Sequence, residues 1–193
     1  MKRTNKTHYM YNKLVYPINT KNGRYECYCD ILDKGINQLN MMLKQHCKVL
    51  AIRLDVHIPK HTKLNTNIGL FIDYLKRYIQ RKYSSKDIGF IWVREIEKAK
   101  RQHYHLCVYV DGNKIRTSYK IVEWAEEYLN SRGMTLYRPD NTFMMVLRNN
   151  KQTIDNAVYR MSYLAKVRGK GYVDKHVKNY SSSRLGNTNI LEL

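Results

Sequence analysis

"DIGFIWVREIE", residues 87–97, and "HYHLCVYVD", residues 103–111, are two strand-like runs separated by the short loop "KAKRQ", 98–102. Both are rich in β-branched and aromatic side chains, the composition of a pleated, half-buried strand. A connection this short joins antiparallel neighbours, so the two runs read as a hairpin. Upstream, "KVLAIRLDVHIP", 48–59, alternates, with Leu50, Ile52, Leu54, Val56 and Ile58 on one face and Arg53, Asp55 and His57 on the other. That is a strand closed by Pro59. Between it and the hairpin, Ile68, Phe71, Ile72, Leu75 and Ile79 recur at helical spacing, with Lys76, Arg77, Arg81 and Lys82 outside the stripe. A second amphipathic helix, 117–132, is built around Ile121, Trp124, Ala125, Tyr128 and Leu129 and stopped by Gly133. "FMMVLR", 143–148, makes a fourth strand. The order from Lys48 to Arg148 is β-α-β-β-α-β, that of a ferredoxin- or RRM-like split unit in the α+β class. It predicts an antiparallel sheet with helices packed on it.

The flanks are simpler. "RYECYC", 24–29, reads as a short strand, and 30–46 as a helix carrying Ile31, Leu32, Ile36, Leu39, Met42 and Leu43. "TIDNAVYRMSYLAKVRG", 153–169, reads as a last helix closed by Gly169. Residues 1–23 are expected to form a basic N-terminal arm, 24–170 a single domain, and 171–193 a basic C-terminal tail.

The chain has 193 residues, enough for one domain with a sizeable core. Thirty-five Lys and Arg face 16 Asp and Glu, a net charge of +19. Such an excess points to a polyanionic partner, nucleic acid first, because phosphates reward clustered Lys and Arg through counterion release. No apolar run approaches the roughly 18–20 residues needed to span a bilayer. The basic start "MKRTNKTHYMYNK" has no apolar segment behind it, so a cytoplasmic protein without a membrane partner is expected. Cys27, Cys29, Cys47 and Cys107 form no CxxC pair, so they read as free thiols. The 17 tyrosines read chiefly as compositional bias, with base-stacking platforms the alternative.

Residues i and i+2 of a strand share a face, so His103 and His105 stand side by side. With the loop centred on Lys100, Glu97 falls opposite His103 and Glu95 opposite His105. Cross-strand neighbours are roughly 5 Å apart, close enough for a carboxylate to join two imidazoles on one cation. Two His and one carboxylate leave positions open for water and substrate oxygens. A solvated Glu–His pair is the plainer alternative. On the last helix, at about 100° per residue, Ile154, Ala157, Val158, Met161 and Ala165 gather on one side. Tyr159, Tyr163 and Lys166 gather on the other, with the two phenols one turn apart. Phenols beside a Lewis acid are fit for covalent attack on a phosphodiester.

"HYH" (103–105) resembles the His-hydrophobic-His motif of the HUH endonucleases, the nicking enzymes that start rolling-circle replication. "YRMSYLAK" (159–166) is similar to the Tyr-x3-Tyr-x2-Lys helix motif of phage replication initiators. "WVREIEKAKRQHYHLCVYV" (92–110) resembles a replication-protein-like domain of filamentous phages and bacterial mobile elements. The resemblance covers about residues 48–170. It implies a bacterial host cell, single-stranded or hairpin origin DNA, and a divalent ion, Mn²⁺ or Mg²⁺, as the single cofactor. It further implies His103, His105 and Glu95 as ligands, with Glu97 in reserve, and Tyr163 and Tyr159 as nucleophiles assisted by Lys166. The reaction implied leaves a free 3′-OH and a 5′-phosphotyrosine. Arg53, Arg94, Arg160 and the basic tail are the candidate DNA contacts. No GxxxxGK[ST] sequence is present, so unwinding would fall to a host helicase. A transposase or mobilisation relaxase of the same superfamily is the nearest alternative. A non-catalytic RRM-like nucleic-acid module is the alternative from another class, disfavoured because the third strand lacks the RNP1 pattern.

Overall fold

A computed structural model of the chain describes residues 1–96, 102–168, 170 and 177–185. In chain order the elements are β1 (Arg3–Thr4), β2 (His8–Tyr11), β3 (Leu14–Pro17), β4 (Cys27–Tyr28) and α1 (Cys29–Gln45). Then follow β5 (Lys48–Ile58), α2 (Thr66–Tyr83), β6 (Ile88–Ile96), β7 (Gln102–Asp111) and α3 (Tyr119–Asn130). The remainder is β8 (Thr135–Tyr137), β9 (Phe143–Leu147), α4 (Lys151–Met161), a 3₁₀ turn (Ser162–Ala165) and β10 (Tyr180–Ser182). The protein is α+β, as the alternation of periods predicts.

Six strands form the main sheet in the order β10-β6-β7-β5-β8, with β9 also paired to β5, and every pairing is antiparallel. The β6–β7 hairpin sits at its centre. Alternation sorts the strand residues into two cores. Leu54, Val56, Trp92, Tyr104, Leu106 and Val108 face α2 and α3. Val49, Ile91, Val93, Cys107 and Tyr109 face α1 and α4. Gly35 of α1 allows this second layer to close, because a β-carbon there would collide with the Met161 thioether of α4.

Four expectations change. First, residues 1–23 are no loose arm. β2 and β3 pair as a hairpin, Tyr9 donates to Asp33 of α1 at 2.7 Å, and Tyr16 and Ile18 are buried. Apolar residues dispersed among lysines build this second-core layer, so a composition average hid it. Second, the segment after 170 is not wholly tail, because β10 pairs with β6 and adds a strand to the sheet. Third, the fourth strand is two pieces. β8 pairs with 55–57 of β5 and β9 with 48–52. Fourth, the last α-helix ends at Met161 and tightens into a 3₁₀ turn. The N-terminal segment causes this. Asn19 N–H donates to Ser162 Oγ at 2.8 Å, Lys166 makes an antiparallel bridge with Cys27, and Val167 N–H donates to the Glu26 carbonyl at 3.0 Å. Backbone groups claimed by a neighbouring strand cannot also continue a helix. Gly169, expected to close that helix, lies outside the described residues.

Candidate metal centre

β5, β6 and β7 bring their polar positions together at one end of the second face. Cα partners across the sheet are Glu95 with His103, Asp55 with His105, and His57 with His103. The hairpin register therefore differs by two residues from the expected one, which set Glu95 against His105. A two-residue slip preserves the face, since side chains repeat every two residues. Glu95 thus still points at the imidazoles. Glu97 lies outside the described residues.

One ligand atom each from Glu95, His103 and His105 lies within 4.8 Å of the others. His103 Nε2 and His105 Nε2 are both 3.2 Å from Glu95 Oε2. On the other side of its ring, His105 Nδ1 lies 2.9 Å from Asp55 Oδ1, within ion-pair distance. Asp55 is in turn gripped by Arg53, through Nε at 3.2 Å and Nη2 at 2.9 Å. The Glu95 approach to His105 is out of line for a hydrogen bond, so Nε2 is a buried nitrogen with no hydrogen-bond partner among the described residues. A buried, unsatisfied nitrogen is costly, whereas a carboxylate on the far nitrogen is the usual support of a metal-bound histidine. The residues present therefore fit a divalent cation.

Electrostatics agree. Burial would raise the Glu95 carboxyl, but contacts with His103 and His105 and then the Lys170 ammonium hold it well below the usual range. Burial would likewise raise Asp55, and His105 and Arg53 keep it low. Burial would lower His105, yet the Asp55 and Glu95 carboxylates raise it. The result is a preorganised cluster of donor atoms in which the Glu95 and Asp55 carboxylates are offset by the Lys170 ammonium and the Arg53 guanidinium. Lys170 Nζ donates to Glu95 Oε1 and to the Lys166 carbonyl, and its side chain is fully buried.

The 3₁₀ turn delivers Tyr163 to this centre. Its ring meets His105 edge-on at 5.4 Å between centroids, and Arg53 Cζ sits 4.3 Å from its centroid. Lys166 Nζ lies 3.7 Å from the same centroid. Burial, with Lys21 nearby, brings the Lys166 ammonium down to about 8. Tyr159 makes none of these contacts among the described residues and is 43% exposed. The expected stripe of Tyr159, Tyr163 and Lys166 is therefore broken, because the tighter winding after Met161 turns the two phenols out of line.

The three candidate DNA-contact arginines separate. Arg53 stays at the centre, paired with Asp55. Arg160 donates to the carbonyls of Asp140 and Asn141 while remaining partly exposed. Arg94 cannot meet a phosphate. It is 1% exposed on the opposite sheet face and donates to the carbonyls of Thr62 and Lys63, to Asn65 Oδ1 and to Gln102 Oε1. Four acceptors hold it as the anchor of the loop before α2.

Asp55 and Lys170 escaped the sequence reading as site residues. Asp55 was legible only as a face-mate of Arg53 and His57, and pairing of β5 with β7 was needed to set it beside His105. Lys170 had no local signal at all. Comparison with curated proteins finds no match, and comparison with solved structures finds none either. The family model of the YagK/YfjJ C-terminal domain matches residues 4–183, which include both the N-terminal hairpin and β10. With nearly its whole length matched, the chain belongs to the YagK/YfjJ C-terminal domain family.

Proposed function

We propose that this protein is a metal-dependent endonuclease and strand transferase that nicks and rejoins single-stranded or hairpin DNA, initiating rolling-circle replication of a mobile element. The observation that carries the reading is the meeting of Tyr163 with the Glu95–His103–His105 cluster: a nucleophile class and a cation site on different elements, with ring contact between them. Glu95, His103 and His105 would hold the ion, with Mn²⁺ and Mg²⁺ the proposed choices. A divalent cation bound there supplies Lewis-acid polarisation of a phosphoryl oxygen.

The chain's own groups divide the remaining work. Tyr163 Oη forms a bond to phosphorus as the bond from phosphorus to the 3′-oxygen breaks. The products are a 5′-phosphotyrosine and, once the 3′-oxygen takes up a proton, a free 3′-OH. Attack by another 3′-OH reverses the step and joins strands. Lys166 is mostly an ammonium at neutral pH and offsets charge near the phenol and phosphate. Above about pH 8 its free amine can accept the phenolic proton. Arg53 braces the Tyr163 ring and, through Asp55, the His105 imidazole. Asp55 holds His105 with its proton on Nδ1, leaving Nε2 as a donor of electrons. Tyr159, exposed and one turn earlier, would serve a second transfer after a rearrangement of this segment. The net charge of +19 supports a nucleic-acid substrate, held largely through its phosphates. The test is incubation with Mn²⁺ and a pool of random-sequence single-stranded oligonucleotides, followed by a denaturing gel. A covalent protein–DNA band lost in Tyr163→Phe supports the reading, and no band with any strand overturns it.

A further inference from the structure

We infer that Tyr137 is the stacking platform for an unpaired base beside the metal centre, a positioning residue for the substrate strand; this rests on the reading that the centre acts on a DNA phosphodiester. Tyr137 ends β8, a three-residue strand at the sheet edge. Its neighbour Leu136 packs into the core under α2 and α3, so alternation sends Tyr137 to the opposite face, the face of the centre. Its Cα partner is Asp55, the residue that grips His105. Despite this position Tyr137 is 58% exposed.

From Tyr137 a line of rings runs inward across four segments of chain. His57 follows at 6.4 Å between centroids, His103 at a further 5.3 Å, His105 at 4.9 Å and Tyr163 at 5.4 Å. The outermost ring is exposed and the innermost is the proposed nucleophile. Other exposed tyrosines differ in kind. Tyr74 is covered by the guanidinium groups of Arg77 and Arg132, and Tyr119 packs edge-on against Phe143. Among the exposed tyrosines described, Tyr137 is the one that joins the ring line to the ligand imidazoles. A protein-bound strand stacks its bases on such rings whatever their sequence, because every base has a π-face. A base inside a duplex has both faces covered by its neighbours. An interior paired base is thus excluded, and the inferred occupant of Tyr137 is an unpaired base on the β8 side of the scissile phosphate.

The test is fluorescence anisotropy in EDTA, so that no strand is cut. The probes are a mixed-sequence single-stranded 30-mer, the same strand with abasic residues throughout, and the 30-mer in a matched duplex. Tyr137→Ala should weaken binding of the base-bearing strand about tenfold, within the range for loss of one base–aromatic stack. It should leave the abasic strand and the duplex unchanged. Tyr137→Phe and Tyr137→Trp should bind as the parent does. An equal loss on the base-bearing and abasic strands, or no loss on either, would overturn the inference. The adduct assay with Mn²⁺ is run beside it on the parent protein. Base-dependent binding without an adduct sinks the nuclease reading and keeps the platform, whereas an adduct with a Tyr137→Ala variant that binds normally does the reverse.

Discussion

His105 Nδ1 lies 2.9 Å from Asp55 Oδ1, while Nε2 of the same ring lies 3.2 Å from Glu95 Oε2. His105 and Asp55 are 50 positions apart in sequence and are Cα partners across β5 and β7. Loss of such a supporting carboxylate typically costs metal sites about 10–100-fold in affinity. Asp55→Asn is expected to weaken Mn²⁺ binding by that order while leaving secondary structure intact. Isothermal titration calorimetry on the parent and the variant measures it. Equal affinities would remove Asp55 from the centre.

Removal of the proposed ligands should be absolute. His103→Ala and His105→Ala are each expected to abolish both Mn²⁺ binding and adduct formation, and EDTA to stop the parent protein. Electron paramagnetic resonance of bound Mn²⁺ reads the first effect and the adduct gel the second. Full strand cleavage in EDTA would sink the metal-dependent mechanism.

The two tyrosines should part company. Tyr163 touches His105, Arg53 and Lys166, whereas Tyr159 is exposed and outside that group. Tyr163→Phe is expected to lose the first adduct completely. Tyr159→Phe should still nick but fail to close circles. Peptide mapping by mass spectrometry decides it, and a phosphotyrosine at Tyr159 in the parent, with Tyr163→Phe still cutting at the normal rate, reverses the roles.

Arg94 tests the distinction between charge that binds and charge that builds. Arg94→Met leaves buried acceptors of the 62–65 loop and Gln102 unpaired, at a cost of about 1–3 kcal/mol. The expected result is a lower urea midpoint with an unchanged salt dependence of DNA binding. A shallower salt slope with full stability would mean that Arg94 does reach a phosphate.

Lys166 offers a pH signature. Burial and the nearby Lys21 depress its pKa to about 8, so its neutral, nucleophilic form appears well below the pH at which surface lysines lose their protons. Acetylation with limiting anhydride, followed peptide by peptide, should reach half its maximum near pH 8 at Lys166. Ordinary lysines should do so near 10.4. Co-titration of Lys166 with the surface lysines would contradict the burial of its ammonium.

The α+β class, the pairing of β6 with β7 and the shared face of Glu95, His103 and His105 were legible in the sequence, because each follows from local periodicity. A period of two puts His103 and His105 on one face, and even a two-residue error in hairpin register leaves Glu95 on that face. The N-terminal hairpin and β10 were not legible, since short strands in lysine- and serine-rich segments carry little alternation. Their stability comes from packing on α1 and pairing with β6. The centre itself was only half legible for the same reason. Asp55 reaches His105 through pairing across the sheet, Lys170 reaches Glu95 after a turn in the chain, and the Cys27–Lys166 bridge ends the helix that local spacing would have continued. Periodicity acts over a few residues and determines which way a side chain faces; which other side chains it meets is decided by contacts between segments tens of residues apart, and those exist only once the sheet has closed.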